Sequence, residues 1–263
     1  MNSNPGTPPL AVVVMAAGKG TRMRDPDRAK VMFPVGGRPM IDHVVRQATE
    51  AGAERIIAIV GHRREVVRAY LDEVFGERVE IAEQVEQLGT GHAVMQAAPL
   101  LVGFEGNVLV LSGDVPLLSA ETLRHLITLH HSEKAAATLL TATAPDPTGY
   151  GRVLRDASGA VGAIREHRDA SENELAVDEI NAGIYLFRAD ALLEGLRALR
   201  SDNAQNEYYL TDIIGWLVAR NERVAAWRTP DIVEVQGINT VEQLAEIETL
   251  YQERAVRTTD AQE

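Results

Sequence analysis

The sequence predicts an α/β protein: a doubly wound, mostly parallel sheet joined to a β-rich portion. Three observations carry that prediction. Continuous apolar, β-branched runs recur at Leu10 to Met15, Arg55 to Val60 and Asn107 to Leu111, the pattern of strands buried on both faces. Segments of helical spacing separate them. Beyond residue 134 short extended segments crowd together, two of them joined by a turn sequence. A chain of 263 residues is long enough to bury a substantial core.

In chain order, Asn2 to Pro9 is rich in Pro, Ser, Asn and Gly and reads as a disordered tail over residues 1–9. Leu10 to Met15 is the first strand, and a Gly-rich loop follows it. Pro39 to Ala51 carries Met40, Ile41, Val44, Val45 and Ala48 at helical spacing, with Pro39 suited to a first turn and Gly52 to the end. Arg55 to Val60 is a strand, Glu65 to Val74 a helix and Val79 to Ala82 a short extended segment. Gly91 to Ala98 starts a helix. Asn107 to Leu111 is a strand that stops at Ser112-Gly113-Asp114, and Glu121 to His131 is helical. Alternation of this kind predicts a Rossmann-like parallel sheet. Then Ala135 to Thr143 and Ile180 to Phe187 read as strands. Between them Arg152 to Leu154 and Val161 to Ile164 form a hairpin across Asp156-Ala157-Ser158-Gly159. Tyr209 to Ala219 reads as helix, Arg223 to Trp227 as strand and Val241 to Arg257 as a closing helix. No linker interrupts the chain, so residues 10–240 read as one domain and residues 241–263 as a C-terminal helix and tail.

The formal net charge is −12, which disfavours nucleic acid and anionic membranes as partners. There are no cysteines, which excludes disulfides, thiolate metal sites and a cysteine nucleophile. Histidines 43, 62, 92, 125, 130, 131 and 167 show no zinc-binding spacing, and no GxSxG is present. MNSNPGTPPL has no basic leader region, and the apolar run after it is too short to span a bilayer. The reading is a soluble cytoplasmic protein.

Four segments bear chemistry. Ala16 to Met23, AAGKGTRM, follows a buried strand, where small residues let backbone N–H groups approach a ligand. It is neither a dinucleotide fingerprint nor a Walker A loop. Lys19, Arg22, Arg24, Arg28 and Lys30 put five cations into twelve residues of an otherwise acidic chain, a local cluster fit for a triphosphate. Asp114, in LSGDVP, stands at the carboxyl end of a buried strand, where open α/β sheets bind ligands. It either holds Mg²⁺ beside that triphosphate or caps the turn before the next helix. In EQLGTGHA, Gly89 and Gly91 flank Thr90 before a helix. That turn either reads a nucleobase edge with its backbone donors and hydroxyl or merely starts the helix. Gly149-Tyr150-Gly151-Arg152, Glu166, Asn181-Ala182-Gly183 and Asn239 are, singly, turn or cap residues.

Taken in order, AAGKGTRM, EQLGTGHA, SGDVPL, DPTGYGRV, EINAGIYLF, NAQNEYYLTDII and VQGIN resemble the uridyltransferase domain of the bacterial bifunctional N-acetylglucosamine-1-phosphate uridyltransferase/acetyltransferases. The resemblance runs from residue 12 to residue 239. It implies the nucleotide-diphospho-sugar transferase fold, with the β-rich portion binding the sugar. It implies transfer of UMP from UTP to N-acetylglucosamine-1-phosphate, with Mg²⁺ as cofactor. Position by position it implies nucleotide contacts at Ala16, Ala17, Gly18, Lys19, Gly20, Thr21, Gln84, Gly89 and Thr90, and catalytic cations at Arg22 and Lys30. It further implies sugar contacts at Gly151, Glu166 and Asn181, and metal ligands at Asp114 and Asn239. Before its lysine this chain reads RDPDRAK where the family usually reads S-D-L-P-K, one residue longer. The chain also carries no hexapeptide repeats after its last helix, so acetyl transfer is not expected of it. Family trimers are built largely by that β-helix, and the oligomeric state stays open. Three alternatives remain: the same chemistry on another sugar-1-phosphate or nucleoside triphosphate, a metal-dependent glycosyltransferase, or a non-catalytic nucleotide-sugar-binding regulatory protein. The glycosyltransferase would carry Asp-x-Asp where this chain has Ser112-Gly113-Asp114. The regulatory protein would be expected to lose Asp114, Asn239, Arg22 or Lys30, all of which are present.

Overall fold

A computed structural model describes the backbone of residues 8–260 and the side chains of residues 8–254. Most of the expected N-terminal tail, residues 1–7, lies outside the described residues, as do residues 261–263. Strand β1 (Leu10–Ala16) is buried almost throughout. A Gly-rich loop leads to the small antiparallel pair β2 (Pro34–Val35) and β3 (Arg38–Pro39). Helix α1 (Met40–Glu50) follows, then β4 (Arg55–Val60), α2 (Arg64–Phe75), β5 (Val79–Glu83) and α3 (Thr90–Ala97). Strand β6 (Asn107–Ser112) and α4 (Ala120–Ser132) complete the alternating half. The second half runs through β7 (Ala137–Thr143), β8 (Arg152–Arg155), β9 (Val161–Arg165) and the single turn α5 (Glu172–Leu175). It continues through β10 (Glu179–Arg188), α6 (Ala189–Ala198), α7 (Asp212–Ala219), β11 (Val224–Arg228) and α8 (Val241–Asp260).

The main sheet has the order β11-β7-β10-β6-β1-β4-β5. Strands β6, β1, β4 and β5 are parallel neighbours. Strand β10 enters antiparallel to both β6 and β7, and the β8–β9 hairpin branches from it where Ile180 faces Arg152. This reversal positions the site. The register pairs Tyr185 with Val110 and Phe187 with Val108, so the amino end of β10 lies beside the carboxyl end of β6. Asn181 therefore emerges at the same sheet edge as the loops after β1, β5 and β6.

Each face of the sheet is covered, as continuous apolar strands require. Along β1, Val12 and Val14 belong to the core beneath α1, α2 and α4, with Ile41, Val44, Leu71 and Leu123. Ala11 and Val13 belong to the opposite core beneath α3, α6 and α7, with Val94, Leu192 and Ile213. A smaller cluster of Met23, Phe33, Val35, Met40, Leu117, Ile238 and Ile247 ties the Gly-rich loop to α8. Burying each such side chain stabilises by roughly 1.5–3 kcal/mol, so Met23 and Ile238 act as anchors that hold polar neighbours in place.

The structure departs from the sequence reading in three places. Helix α6 was not expected; it buries Leu192 and Leu196 and closes against α7, Gly195 lying beneath Ile213. Turn α5 begins at a capping box formed by Ser171 and Glu174. Helix α7 starts at Asp212 rather than Tyr209, because the Tyr208 and Tyr209 residues are engaged elsewhere. The Tyr208 N–H donates to the Leu88 carbonyl at 2.8 Å, and the Tyr209 hydroxyl donates to Asp169 at 3.2 Å.

Candidate active site

The loop after β1 descends from Ala16 and Ala17, both buried, and turns at Gly20 with φ +61°. A Cβ on Gly20 would stand 2.7 Å from the Lys30 Cβ, so glycine is what lets the Lys30 segment pack against this loop. Thr21–Met23 forms a single 3₁₀ turn with Met23 buried beneath it. Lys30 begins a second such turn, fixed by the buried Val31.

Four polar side chains from three distant segments meet here. The Lys30 ammonium donates to the Asp114 Oδ2 atom and, at 2.7 Å, to Asn239 Oδ1. Arg22 donates to the same Asn239 oxygen at 3.0 Å. The Asn239 Nδ2 group turns away, to the Gly237 carbonyl at 3.3 Å, which leaves its oxygen facing the cations. The Ile238 N–H donates to the Asp114 carbonyl at 3.0 Å and binds the two segments together. Asp114 does not cap the following helix: Ser119 does, accepting from the Thr122 N–H. Of the five cations in the sequence cluster, Arg24 and Arg28 are turned outward, onto Glu242 and Asp25. The concentration of charge toward the ligand is therefore smaller than the sequence count implied, because two of the five lie on the outer side of the loop.

A cavity of about 470 Å³ opens at this edge. Its lining includes Ala16, Ala17, Gly18, Lys19, Gly20, Thr21, Lys30, Gln84, Gly89, Thr90 and Asp114, eleven of the sixteen residues named from the sequence. Arg22 and Asn239 join it through their bonds to Lys30 and to each other. The sequence did not single out Gln87, Ser112 or Glu207, which also line it.

Gln84 follows β5 and is buried, its Nε2 donating to the Gly89 carbonyl at 3.2 Å. Gly89 has φ +105°, and a Cβ there would stand 2.6 Å from the Tyr208 carbonyl. The Gly91 N–H donates to that carbonyl at 2.7 Å, and Thr90 Oγ1 accepts from the Leu210 N–H at 3.1 Å. The NEYYLTD segment thus folds beneath the EQLGTG turn as its support. Replacing Gly89 with Ala is expected to destabilise the protein by about 1–3 kcal/mol, read as a lower urea midpoint.

Gly151, Glu166 and Asn181 come together but do not line that cavity. A Cβ on Gly151 would lie 3.6 Å from the Glu166 carboxylate and 3.6 Å from Asn181 Cβ. The Asn181 N–H donates to the Gly151 carbonyl at 2.9 Å, and its side chain donates to the Tyr185 hydroxyl at 2.6 Å. Glu166 accepts from the Thr211 hydroxyl at 3.0 Å. Burial pushes the Glu166 carboxyl above the usual carboxylate range, the Thr211 bond opposes that, and the charges of Asp212 and Asp169 add to it. Tyr150 connects this group to the first: burial raises its hydroxyl, and the Asp114 charge raises it further.

Fold and site together define a nucleotide-handling class, and the comparisons agree: the chain belongs to the nucleotidyl transferase family, whose model matches residues 11–232. Among similar proteins, the bifunctional protein GlmU of Enterococcus faecalis is 48% identical over 227 residues, covering 86% of this chain and 48% of that protein. The GlmU of a Geobacillus species is 47% identical over 245 residues, covering 93% of this chain and 52% of its own. The chain thus spans about half the length of the curated relatives it matches. A crystal structure of a UDP-glucose pyrophosphorylase complexed with UDP-glucose shares the fold, with a TM-score of 0.75 at 18% identity over 94% of this chain and 99% of that one. Among the described residues no helix is long and apolar enough to cross a membrane.

Proposed function

We propose that the protein transfers UMP from UTP to N-acetylglucosamine-1-phosphate, giving UDP-N-acetylglucosamine and pyrophosphate in the cytoplasm. The observation that carries this reading is the single cavity lined both by the Gly-rich loop and by buried Gln84, with Lys30, Asp114, Asn239 and Arg22 clustered at its wall. The identity to the GlmU proteins across most of this chain supports the choice of substrates.

The donor set suits a divalent cation. Asp114 Oδ2 and Asn239 Oδ1 are hard oxygens that already converge on one positive charge, the Lys30 ammonium. Among the described residues no three His, Cys, Asp or Glu side chains group to hold a metal, so two protein oxygens, completed by water and phosphate, would be the Mg²⁺ ligands. Bound there, Mg²⁺ would offset charge between the two phosphates that must meet.

The chain's own residues do the rest. The attacking group is a phosphate oxygen of the sugar-1-phosphate, largely ionised at neutral pH because its second pKa is about 6, so no strong base is required. Backbone groups of Ala16 to Thr21 hold the triphosphate. Lys30, released from Asp114 and Asn239, and Arg22 offset the charge of the departing pyrophosphate. Gly151, Glu166 and Asn181 hold the sugar in line. Orientation of two bound reactants can supply roughly 7–11 kcal/mol, which suits a site made of binding groups.

Pyrophosphate release measured across the four nucleoside triphosphates and several sugar-1-phosphates tests the reading. UTP with N-acetylglucosamine-1-phosphate is expected to be the preferred pair, and absence of pyrophosphate from it would overturn the proposal. Replacing Arg22 with Ala is expected to lower kcat on the order of 10²–10³-fold, as loss of one charge-stabilising donor does. A loss below about threefold would transfer that role to Lys19 or Lys30.

A further inference from the structure

We propose that His92 sets the nucleobase specificity of this site by locking the orientation of the Gln84 amide; this rests on the uridylyl reading above. Gln84 Nε2 has two neighbours: the Gly89 carbonyl at 3.2 Å and His92 Nδ1 at 3.1 Å. A carbonyl oxygen only accepts, so the group facing Gly89 is the NH₂ end. The same NH₂ faces His92 Nδ1, which accepts from it in the tautomer protonated at Nε2. Gln96 Nε2 lies 3.3 Å from the other ring nitrogen, Nε2, and donates to the His92 carbonyl at 2.9 Å. The imidazole is steadied by the Tyr208 ring, with centroids 6.2 Å apart.

Both N–H bonds of Gln84 are thereby directed at protein acceptors. Its Oε1 is bonded to no donor among the described residues, while Gln84 itself lines the cavity. The side chain can then offer a base only an acceptor. Uracil answers with its N3–H donor, whereas cytosine has a lone pair at N3 and meets that oxygen lone pair to lone pair. Without the His92 acceptor only the Gly89 carbonyl at 3.2 Å holds the NH₂ end, and the amide turns more readily to offer NH₂ to the base. His92 is in this sense a positioning residue: it touches Gln84, not the base.

The test is the ratio of kcat/KM for UTP to kcat/KM for CTP with N-acetylglucosamine-1-phosphate as acceptor. His92→Phe keeps a ring against Tyr208 and removes the acceptor. It is expected to lower that ratio about tenfold, the factor one neutral hydrogen bond carries, mainly through a higher KM for UTP and without a change in KM for the sugar phosphate. His92→Asn, whose Oδ1 can stand where Nδ1 stood, is expected to restore the ratio. Should His92→Phe fail to fold, His92→Leu carries the same measurement. The proposal is overturned if removing the acceptor leaves the ratio unchanged, or if His92→Asn loses discrimination as fully as His92→Phe. A wild-type protein that turns over CTP as readily as UTP would instead overturn the uridylyl reading itself.

Discussion

Replacing Asp114 with Ala is expected to abolish pyrophosphate release while the protein remains folded. The carboxylate stands at the end of β6, where its oxygen shares the Lys30 ammonium with Asn239. Removing it takes away one of two protein oxygens proposed for the divalent cation and leaves Lys30, with only 12% of its side chain exposed, without its anionic partner. The fold should tolerate this. The backbone link from Ile238 to the Asp114 carbonyl does not involve the side chain, and Ser119 rather than Asp114 caps α4. Pyrophosphate release with Mg²⁺ and an unfolding curve, recorded on one preparation, separate chemistry from stability. Normal turnover by this variant would show the metal assignment to be wrong.

The largest expected effect on stability belongs to Glu179, which no local sequence pattern marks. Its side chain is 5% exposed and lies at the start of β10. It accepts from Arg155 at 2.7 Å, from Arg228 at 2.6 Å and from the Thr141 hydroxyl at 2.8 Å. It therefore ties the hairpin strand β8, the edge strand β11 and β7 to the antiparallel strand that carries Asn181. Burial alone would raise this carboxyl; the bonds from Arg155, Thr141 and Arg228 outweigh it and hold it down at about 2.

Because the folded-state value lies below the ordinary 4.5, the stabilisation is present in full above about pH 4.5. It is lost as the pH falls toward 2. Replacing Glu179 with Ala is expected to cost on the order of 3 kcal/mol at neutral pH, the low end for breaking a buried pair, since both guanidinium groups reach solvent. Urea unfolding of the two proteins at a series of pH values checks it. Their difference in stability should shrink between about pH 4.5 and 2, and a difference that stayed constant with pH would argue against the carboxylate as its source. Loosening of β10 should also raise KM for the sugar phosphate, since Asn181 is two residues further along.

Much of the scaffold is legible in the sequence because local chemistry dictates it. Val12 and Val14 face one core and Ala11 and Val13 the other, so β1 reads as an unbroken apolar run. The turn Asp156 to Gly159 forms the hairpin connection expected of it, the Asp156 N–H donating to the Ala160 carbonyl at 2.9 Å. Helix α6 was equally open to a periodicity reading, through Leu192 and Leu196. The start of α7 was not open to it, because Tyr208 and Tyr209 satisfy partners on loops more than thirty residues away, which no helical window registers.

Local residue patterns dictate the alternating α/β sheet, the Gly-rich, cation-bearing loop after its first strand, and Asp114 at the end of a central one. Those features depend on neighbours within a few residues. Long-range packing sorts the charges: Lys30 and Arg22 turn toward Asn239, while Arg24 and Arg28 turn to surface carboxylates. The same packing rests His92 on Gln84 and runs β10 backward to bring Asn181 to the edge where Asp114 stands. A side chain's partner is fixed by strand order and direction, which arise from packing across the whole sheet, whereas spacing along the chain reports only the faces each segment must bury.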